Sequence, residues 1–321
     1  MHPGQGADRV DRGRVSTRVV YDRMPAEKEW WTVARESTVP APQRRGRLRW
    51  GDVGARLLVL GYLIVLYFPI YWMVTMAFKR RVDITIIPPR FIFKPILRNF
   101  EWLFVHQDIW GPITRGFMVS VASVAIAIVL GTMAAYALAR FRWWRQNDLE
   151  YWIVSTRMLP PVAVIIPYYY LWMKFRMLDT LTGLGITYLT INLPLVIWLL
   201  IGFFRSIPRE MDDAARVDGC SPLQAFWYIA LPMARGAVGA AAILAFIFTW
   251  NDFFFAFILT TVNFTLPVAL SSFMTVGLEV KYGEMAAAGL LAAIPSLVLA
   301  ILARKWIVTG FRGMAGIAAT R

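Results

Sequence analysis

The sequence predicts an all-α, polytopic integral membrane protein with six transmembrane helices and one structured polar loop. Three observations predict it. The 321 residues are 58% hydrophobic, with a mean hydropathy of +0.53, where soluble domains are nearer half apolar. Six segments reach the roughly 20 mostly apolar residues that a membrane-spanning helix needs. Between the fourth and fifth of these lies a short stretch dense in acids, alanine, glycine and proline.

The six spans are Leu57–Phe78, Phe117–Ala139, Trp152–Met173, Leu181–Phe204, Gly236–Leu259 and Met285–Ala303. Two charges, Arg157 and Asp252, interrupt them. Residues 1–50 carry 11 basic and 6 acidic residues without a helical stripe, and are expected to form a largely disordered tail. Residues 51–321 then form the membrane domain. The run "RRGRLRW", Arg44 to Trp50, abuts the first span, where it suits either an orientation signal or lipid head groups.

A formal charge of +14 would suggest nucleic acid in a soluble chain. Here it is read as the excess of Lys and Arg on the retained side of the membrane. With both termini cytoplasmic, 23 basic residues lie inside and 10 outside. The outer loop 79–115 is discordant, since it holds seven of those ten. One Cys, Cys220, and two His, His2 and His106, offer no disulfide and no histidine-built metal site. No G-x-x-x-x-G-K-[ST] occurs, so no phosphate-binding loop is present. No cofactor, no metal and no nucleic-acid partner are expected.

The polar stretch, "EMDDAARVDGCSPLQAFWYIALP" from Glu210 to Pro232, reads as two short helices at an angle. Ser206 is placed to cap the first, with Pro208 just inside it. Glu210, Asp212 and Asp213 suit the positive end of its dipole. Ala214 and Ala215 favour the helix, and Gly219, after Asp218, stands just past its end. Ser221, Pro222 and Gln224 form a second start with a capping box. Leu223, Phe226, Trp227 and Ala230 then share one face, and Pro232 ends the helix. That face fits either the chain's own membrane domain or another subunit.

These residues resemble a cytoplasmic loop of ABC importer permeases. Asp213-Ala214-Ala215, three residues, Gly219, nine residues, and Ile229-Ala230-Leu231-Pro232 match its spacing without a gap. Asp213 stands where Glu is usual. "AAYALARF", "MLPPVAVIIPYYYLW", "WNDFFFAFILT" and "TLPVAL" resemble the maltose-type carbohydrate and polyol class. The resemblance implies the type I ABC importer permease fold and a permease subunit importing a sugar or polyol. It implies a second homologous permease, two separate ATPase subunits and an extracytoplasmic substrate-binding protein as partners, besides membrane lipid. The location implied is a bacterial cytoplasmic membrane. The second short helix would be a coupling helix in a cleft of the ATPase. Asp213, Ala214, Ala215, Asp218, Gly219, Ser221, Leu223, Phe226, Trp227, Ile229, Leu231 and Pro232 would form that loop, with Asp213 anchoring it or touching the ATPase.

Candidate pathway residues are Thr190, Asn192, Asn251 and Asp252, with Arg157 as either a pathway charge or a snorkelling one. Asp252 is expected in the outer half of span five. Pro160, Pro161, Pro167 and Pro194 break spans three and four, as helices lining transporter cavities are broken. An enzyme would need facing acids, His or a Ser/Lys pair, and the spans hold two charges. A stand-alone secondary carrier, or a permease for another small solute, are the alternatives; the carrier leaves the loop unexplained.

Overall fold

The computed structural model describes residues 50–142, 144–273 and 280–318. The expected tail lies outside them except for Trp50. No strand occurs among the described residues. The helices are α1 Trp50–Ala77, α2 Arg81–Thr85, α3 Arg98–Val105, α4 Trp110–Arg140, α5 Gln146–Ser155, α6 Pro161–Lys174 and α7 Leu181–Ser206. They continue as α8 Arg209–Val217, α9 Pro222–Ala225, α10 Leu231–Trp250, α11 Phe254–Leu259, α12 Leu266–Ser272 and α13 Tyr282–Ala318. Among the described residues, five helices are long and apolar enough to cross a membrane, six if the bent pair α5–α6 is one span.

Every side chain of α1 from Gly54 to Tyr71 is exposed. Beyond it, the core is built on α4 against α7. α4 offers small buried residues at helical spacing: Ser120, Ser123, Ala127, Gly131, Ala135 and Ala139. α7 answers with a ridge four residues apart: Leu184, Tyr188, Asn192, Val196, Leu200 and Phe204. Lipid tails are as apolar as leucine, so helices here gain by close packing rather than by leaving water. Gly131 shows how close: a Cβ there would lie 2.7 Å from Val196 Cγ1. α10 and α13 complete the core with Ala234, Ala241, Ala245 and Ala286 to Ala288. Trp250 Nε1 donates to the Ala292 carbonyl at 2.8 Å.

Most helices outrun the expected bounds, and two of the expected spans are broken. Span three is not one rod. α5 runs into a 3₁₀ turn, Thr156–Met158, and α6 leaves at 92°. The residue before a proline avoids helical ψ. Leu159 precedes Pro160 at ψ 127° and Pro160 precedes Pro161 at ψ 133°, so two successive extended residues turn the chain. Pro161 then opens α6, where its missing N–H is no loss. Span five ends at Trp250 rather than Leu259. Asp252 starts a separate helix: its Oδ2 accepts the N–H groups of Phe255 and Ala256, both at 3.2 Å. A carboxylate competes in this way with helix continuation.

At the end of the bundle away from α8, one side chain joins two loops. Asp179, at φ 57°, accepts the N–H groups of Thr261, Val262 and Asn263 on Oδ1 at 2.8, 2.9 and 2.9 Å. Partial burial pushes its carboxyl up, but the three donors together outweigh that and hold it below the usual carboxylate range. The loop before α7 is thereby fixed to the loop after α11.

Candidate functional site: the polar loop and the central cavity

The loop between α7 and α10 starts two residues later than its sequence suggests. Ser206 closes α7, donating to the Phe203 carbonyl at 2.7 Å, and Pro208 is the N-cap of α8 rather than a residue inside it. The acid that anchors the loop is Asp212. It is buried, while Asp213 and Ala214 are exposed. Arg140 Nε, at the end of α4, lies 2.6 Å from Asp212 Oδ2. The N–H does not point squarely along that line, so the contact is a close ion pair rather than a straight hydrogen bond. Tyr136 donates its hydroxyl to Oδ1 at 3.2 Å, and Arg140 Nη1 donates to the Ile207 carbonyl at 3.0 Å. Ala215 packs beneath. Asp212 and Ala215, three apart, mark the inner face of α8; that spacing was the available signal.

The turn out of α8 is a Schellman motif. Cys220 N–H donates to the Ala215 carbonyl at 2.9 Å and Gly219 N–H to Arg216 at 3.1 Å. Gly219 takes φ 87°, which glycine adopts without strain. Ser221 forms the expected capping box: its N–H donates to Gln224 Oε1 at 2.7 Å, and its Oγ accepts from Gln224 N–H at 3.3 Å. The helix does not stop at Pro232. It widens into a π turn, Phe226–Ala230, and continues unbroken as Pro222–Trp250. Leu231 N–H reaches back five residues to the Phe226 carbonyl, which shifts the bonding register where Pro232 has no donor to give.

The apolar face of this helix splits in two. Phe226, 3% exposed, packs inward against Tyr136 at 5.1 Å between ring centroids. Ala225 and Ala230 are buried beside it. Leu223 and Trp227 remain 56% and 48% exposed, with Val217 and Tyr228 near them in sequence and also exposed. Asp218 and Pro232 are exposed, and Ile229 and Leu231 half-buried.

A cavity of about 600 Å³ opens among the bent span three, α7 and the α10–α11 break. Thr190, Asn192 and Asp252 line it, with Arg157, Tyr168, Tyr188, Phe248 and Thr249. Asn251 does not: its amide donates to Ile247 and, at 3.0 Å, to Ser296 Oγ on α13. Asp252 is not inside span five but in the break beyond it, where Tyr188 donates to its Oδ2 at 3.0 Å. Asn192 Nδ2 donates to Thr249 Oγ1 at 2.8 Å. Thr190 Oγ1 donates to the Thr187 carbonyl, so the 2.7 Å bond to Tyr168 has the tyrosine as donor. Arg157 Nη1 donates to the Ile191 carbonyl at 3.0 Å, and its guanidinium lies 5.6 Å from the Phe248 ring centre. The cavity is therefore polar at a few fixed points and apolar between them, lined by aliphatic as well as aromatic side chains. Among the described residues, no group of His, Cys, Asp and Glu is placed to hold a metal ion.

Residues 127–313 match the family of binding-protein-dependent transport system inner membrane components. The chain belongs to this family. It is thus a multi-pass permease component of an ABC importer, and both the loop and the cavity fall within the matched residues. The permease is 36% identical over 247 residues to the probable ABC transporter permease protein y4oR of Sinorhizobium fredii, covering 77% of this chain and 88% of that one. It is 32% identical to the trehalose transport system permease protein SugB of Mycobacterium tuberculosis, covering 79% and 92%. Its fold matches a chain of a bacterial ABC transporter involved in the import of alginate, with a TM-score of 0.67 at 22% identity, over 80% of this permease and 95% of that chain.

Proposed function

We propose that this permease is one half of the translocation pathway of a sugar or polyol importer, driven by separate ATPase subunits. The observation that carries the reading is the pairing of two surfaces within one fold. One is the exposed Leu223 and Trp227, on a helix packed into the bundle through Phe226 and joined by a tight turn to α8, which the Arg140–Asp212 pair holds in place. The other is a cavity offering hydroxyl, amide and carboxylate groups among aromatic rings. Sugars are held by such hydrogen bonds and by ring stacking. Asp252 Oδ1 accepts no hydrogen bond among the described residues, and so is available to a substrate hydroxyl. The trehalose-transport relative supports the substrate class.

Leu223 and Trp227 form the ATPase contact. Asp213, Ala214, Asp218, Ile229, Leu231 and Pro232 surround it, and Ala215, Gly219, Ser221 and Phe226 hold its shape. Thr190, Asn192 and Asp252 serve the pathway, and Asn251 supports it from behind through Ser296. α1, exposed from Gly54 to Tyr71, faces lipid and the second, homologous permease. A substrate-binding protein docks at the far end. The excess of basic residues, 23 against 10, supports cytoplasmic termini and a cytoplasmic loop, with residues 1–50 as a tail and 51–321 as the membrane domain.

The test is reconstitution. The chain is assembled in liposomes with its genomic neighbours: a permease, an ATPase and a binding protein. Uptake of radiolabelled sugars and polyols is then followed with and without ATP. Uptake of at least one, dependent on ATP and on the binding protein, is expected. Uptake by this chain alone, without ATPase, would overturn the reading. Orientation is read separately: Ser221→Cys in a Cys220→Ser background should resist an impermeant thiol reagent in intact cells.

A further inference from the structure

The basic loop that contradicts the charge bias has an unusual surface. Residues 80–98 carry five cations and a single acid, Asp83. That acid is buried and neutralised, with Arg80 Nε and Arg90 Nη1 at 3.3 and 3.1 Å. Lys94 and Arg98 are exposed, and neither makes an ion pair among the described residues. Between the cations the segment exposes large apolar side chains, with Ile87 at 91% and Ile92 at 95%. Water alone is a poor environment for so many exposed apolar groups beside one another.

The segment's position bears on what covers it. It leaves the end of α1, and its far end is fastened back there. Ile96 N–H donates to the Phe78 carbonyl at 2.8 Å, and Asn99 Nδ2 donates to the Ala77 and Lys79 carbonyls at 2.8 and 3.0 Å. Its middle is folded down along the helix. Phe91 meets Trp72 edge-on at 6.0 Å, and Lys79 Nζ lies 4.5 Å from Trp72 and 5.0 Å from Phe93. Trp72 is five residues inside the helix end, about 7.5 Å of rise, which is the depth of the membrane's interfacial layer. The segment therefore lies at the level of lipid head groups, with bare apolar side chains and free cations together.

We propose that residues 80–98 form a membrane-interface flap that binds the phosphate groups of anionic phospholipids. Ile87, Phe91 and Ile92 enter the acyl boundary, while Lys94 and Arg98 meet the phosphates. This combination of buried apolar area and attraction to anionic lipid is how interfacial segments hold a bilayer. It also accounts for part of the discordant charge, since Lys94 and Arg98 are then ligands for lipid rather than topology signals. The inference stands on membrane insertion and is independent of the substrate and of the ATPase.

The test uses the full chain in nanodiscs of phosphatidylcholine with a minor share of phosphatidylglycerol. A fluorophore is placed at Ile92→Cys in a Cys220→Ser background. Quenching by spin-labelled lipid should exceed quenching by aqueous iodide. Lipid retained after detergent stripping, measured by mass spectrometry, should be enriched in phosphatidylglycerol. Lys94→Gln with Arg98→Gln should lower that enrichment by about fivefold for each charge removed. Ile87→Ser should lower lipid quenching at position 92 while the protein stays monodisperse. Dominant iodide quenching, or enrichment unchanged in the double variant, would overturn the proposal. So would loss of lipid quenching on adding the partner permease, since the face would then belong to a subunit.

Discussion

Arg140 Nε lies 2.6 Å from Asp212 Oδ2, so the last residue of α4 grips the middle of α8. The pair is nearly buried and shares Asp212 with the Tyr136 hydroxyl. It makes the polar loop part of the bundle rather than an appendage. Asp212→Ala leaves a buried guanidinium without its counter-ion, a change that costs about 3–5 kcal/mol when one partner of such a pair is removed. We expect Asp212→Ala to lower the apparent melting temperature in detergent. Asp213→Ala, at an exposed position, should leave it unchanged. Equal effects of the two variants would refute the assignment of the anchor.

Leu223 and Trp227 face outward while Phe226 faces in. Trp227→Ala should abolish copurification of the ATPase at normal membrane abundance. Phe226→Ala should do the reverse, lowering abundance first, because large-to-small changes in a core cost about 3–5 kcal/mol for an aromatic. Comparing pull-down yield with abundance across the two variants separates docking from folding.

Gly219 has open space where a Cβ would stand, so only its φ of 87° resists substitution. Gly219→Val introduces roughly 1–2 kcal/mol of backbone strain. That is small beside the cohesion of the bundle, but it acts where α8 turns into α9. Substrate uptake per molecule should fall several-fold with abundance nearly normal. Normal uptake at normal abundance would remove the coupling role of the turn.

Asp179 gives the fold an acid-sensitive point. Burial raises its carboxyl and the N–H groups of Asn263, Thr261 and Val262 lower it by more, so the folded value lies below the unfolded one of about 4. Its stabilisation is therefore fully present above that unfolded value and lost as pH falls through the folded one. Asp179→Asn should lower the melting temperature at pH 7, and the two proteins should converge in acid. Parallel curves across the whole range would show that the clamp contributes nothing through its charge.

The spans, the Gly219 turn and the Ser221–Gln224 box were legible because each depends on local chemistry. Hydropathy finds an apolar length, and caps are set by residues three or four apart. The 92° bend was half visible in Pro160 and Pro161, but an apolar window stays apolar whether or not the helix turns. The early end of span five was hidden because Asp252 reads equally as a charge within a helix and as the start of another. The choice between Asp212 and Asp213, and the inward turn of Phe226, depend on Arg140 and Tyr136, more than seventy residues away. The cavity needed the fold itself, since its lining comes from three separate stretches of chain.

The helix from Pro222 to Trp250 has no break between the loop and the far side of the bundle. From Trp227 to Trp250 it spans roughly 35 Å. A push at one end therefore arrives at the other as rotation and thrust of a single shaft, with no joint to absorb it. Such a shaft is keyed. Each added residue would turn the far end by about 100°, carrying Asp252 away from Tyr188 while Trp227 kept its place. The π turn at Phe226–Ala230 is where that angular offset is set. It fixes the phase between the exposed face of Leu223 and Trp227 and the end that leads to Asp252.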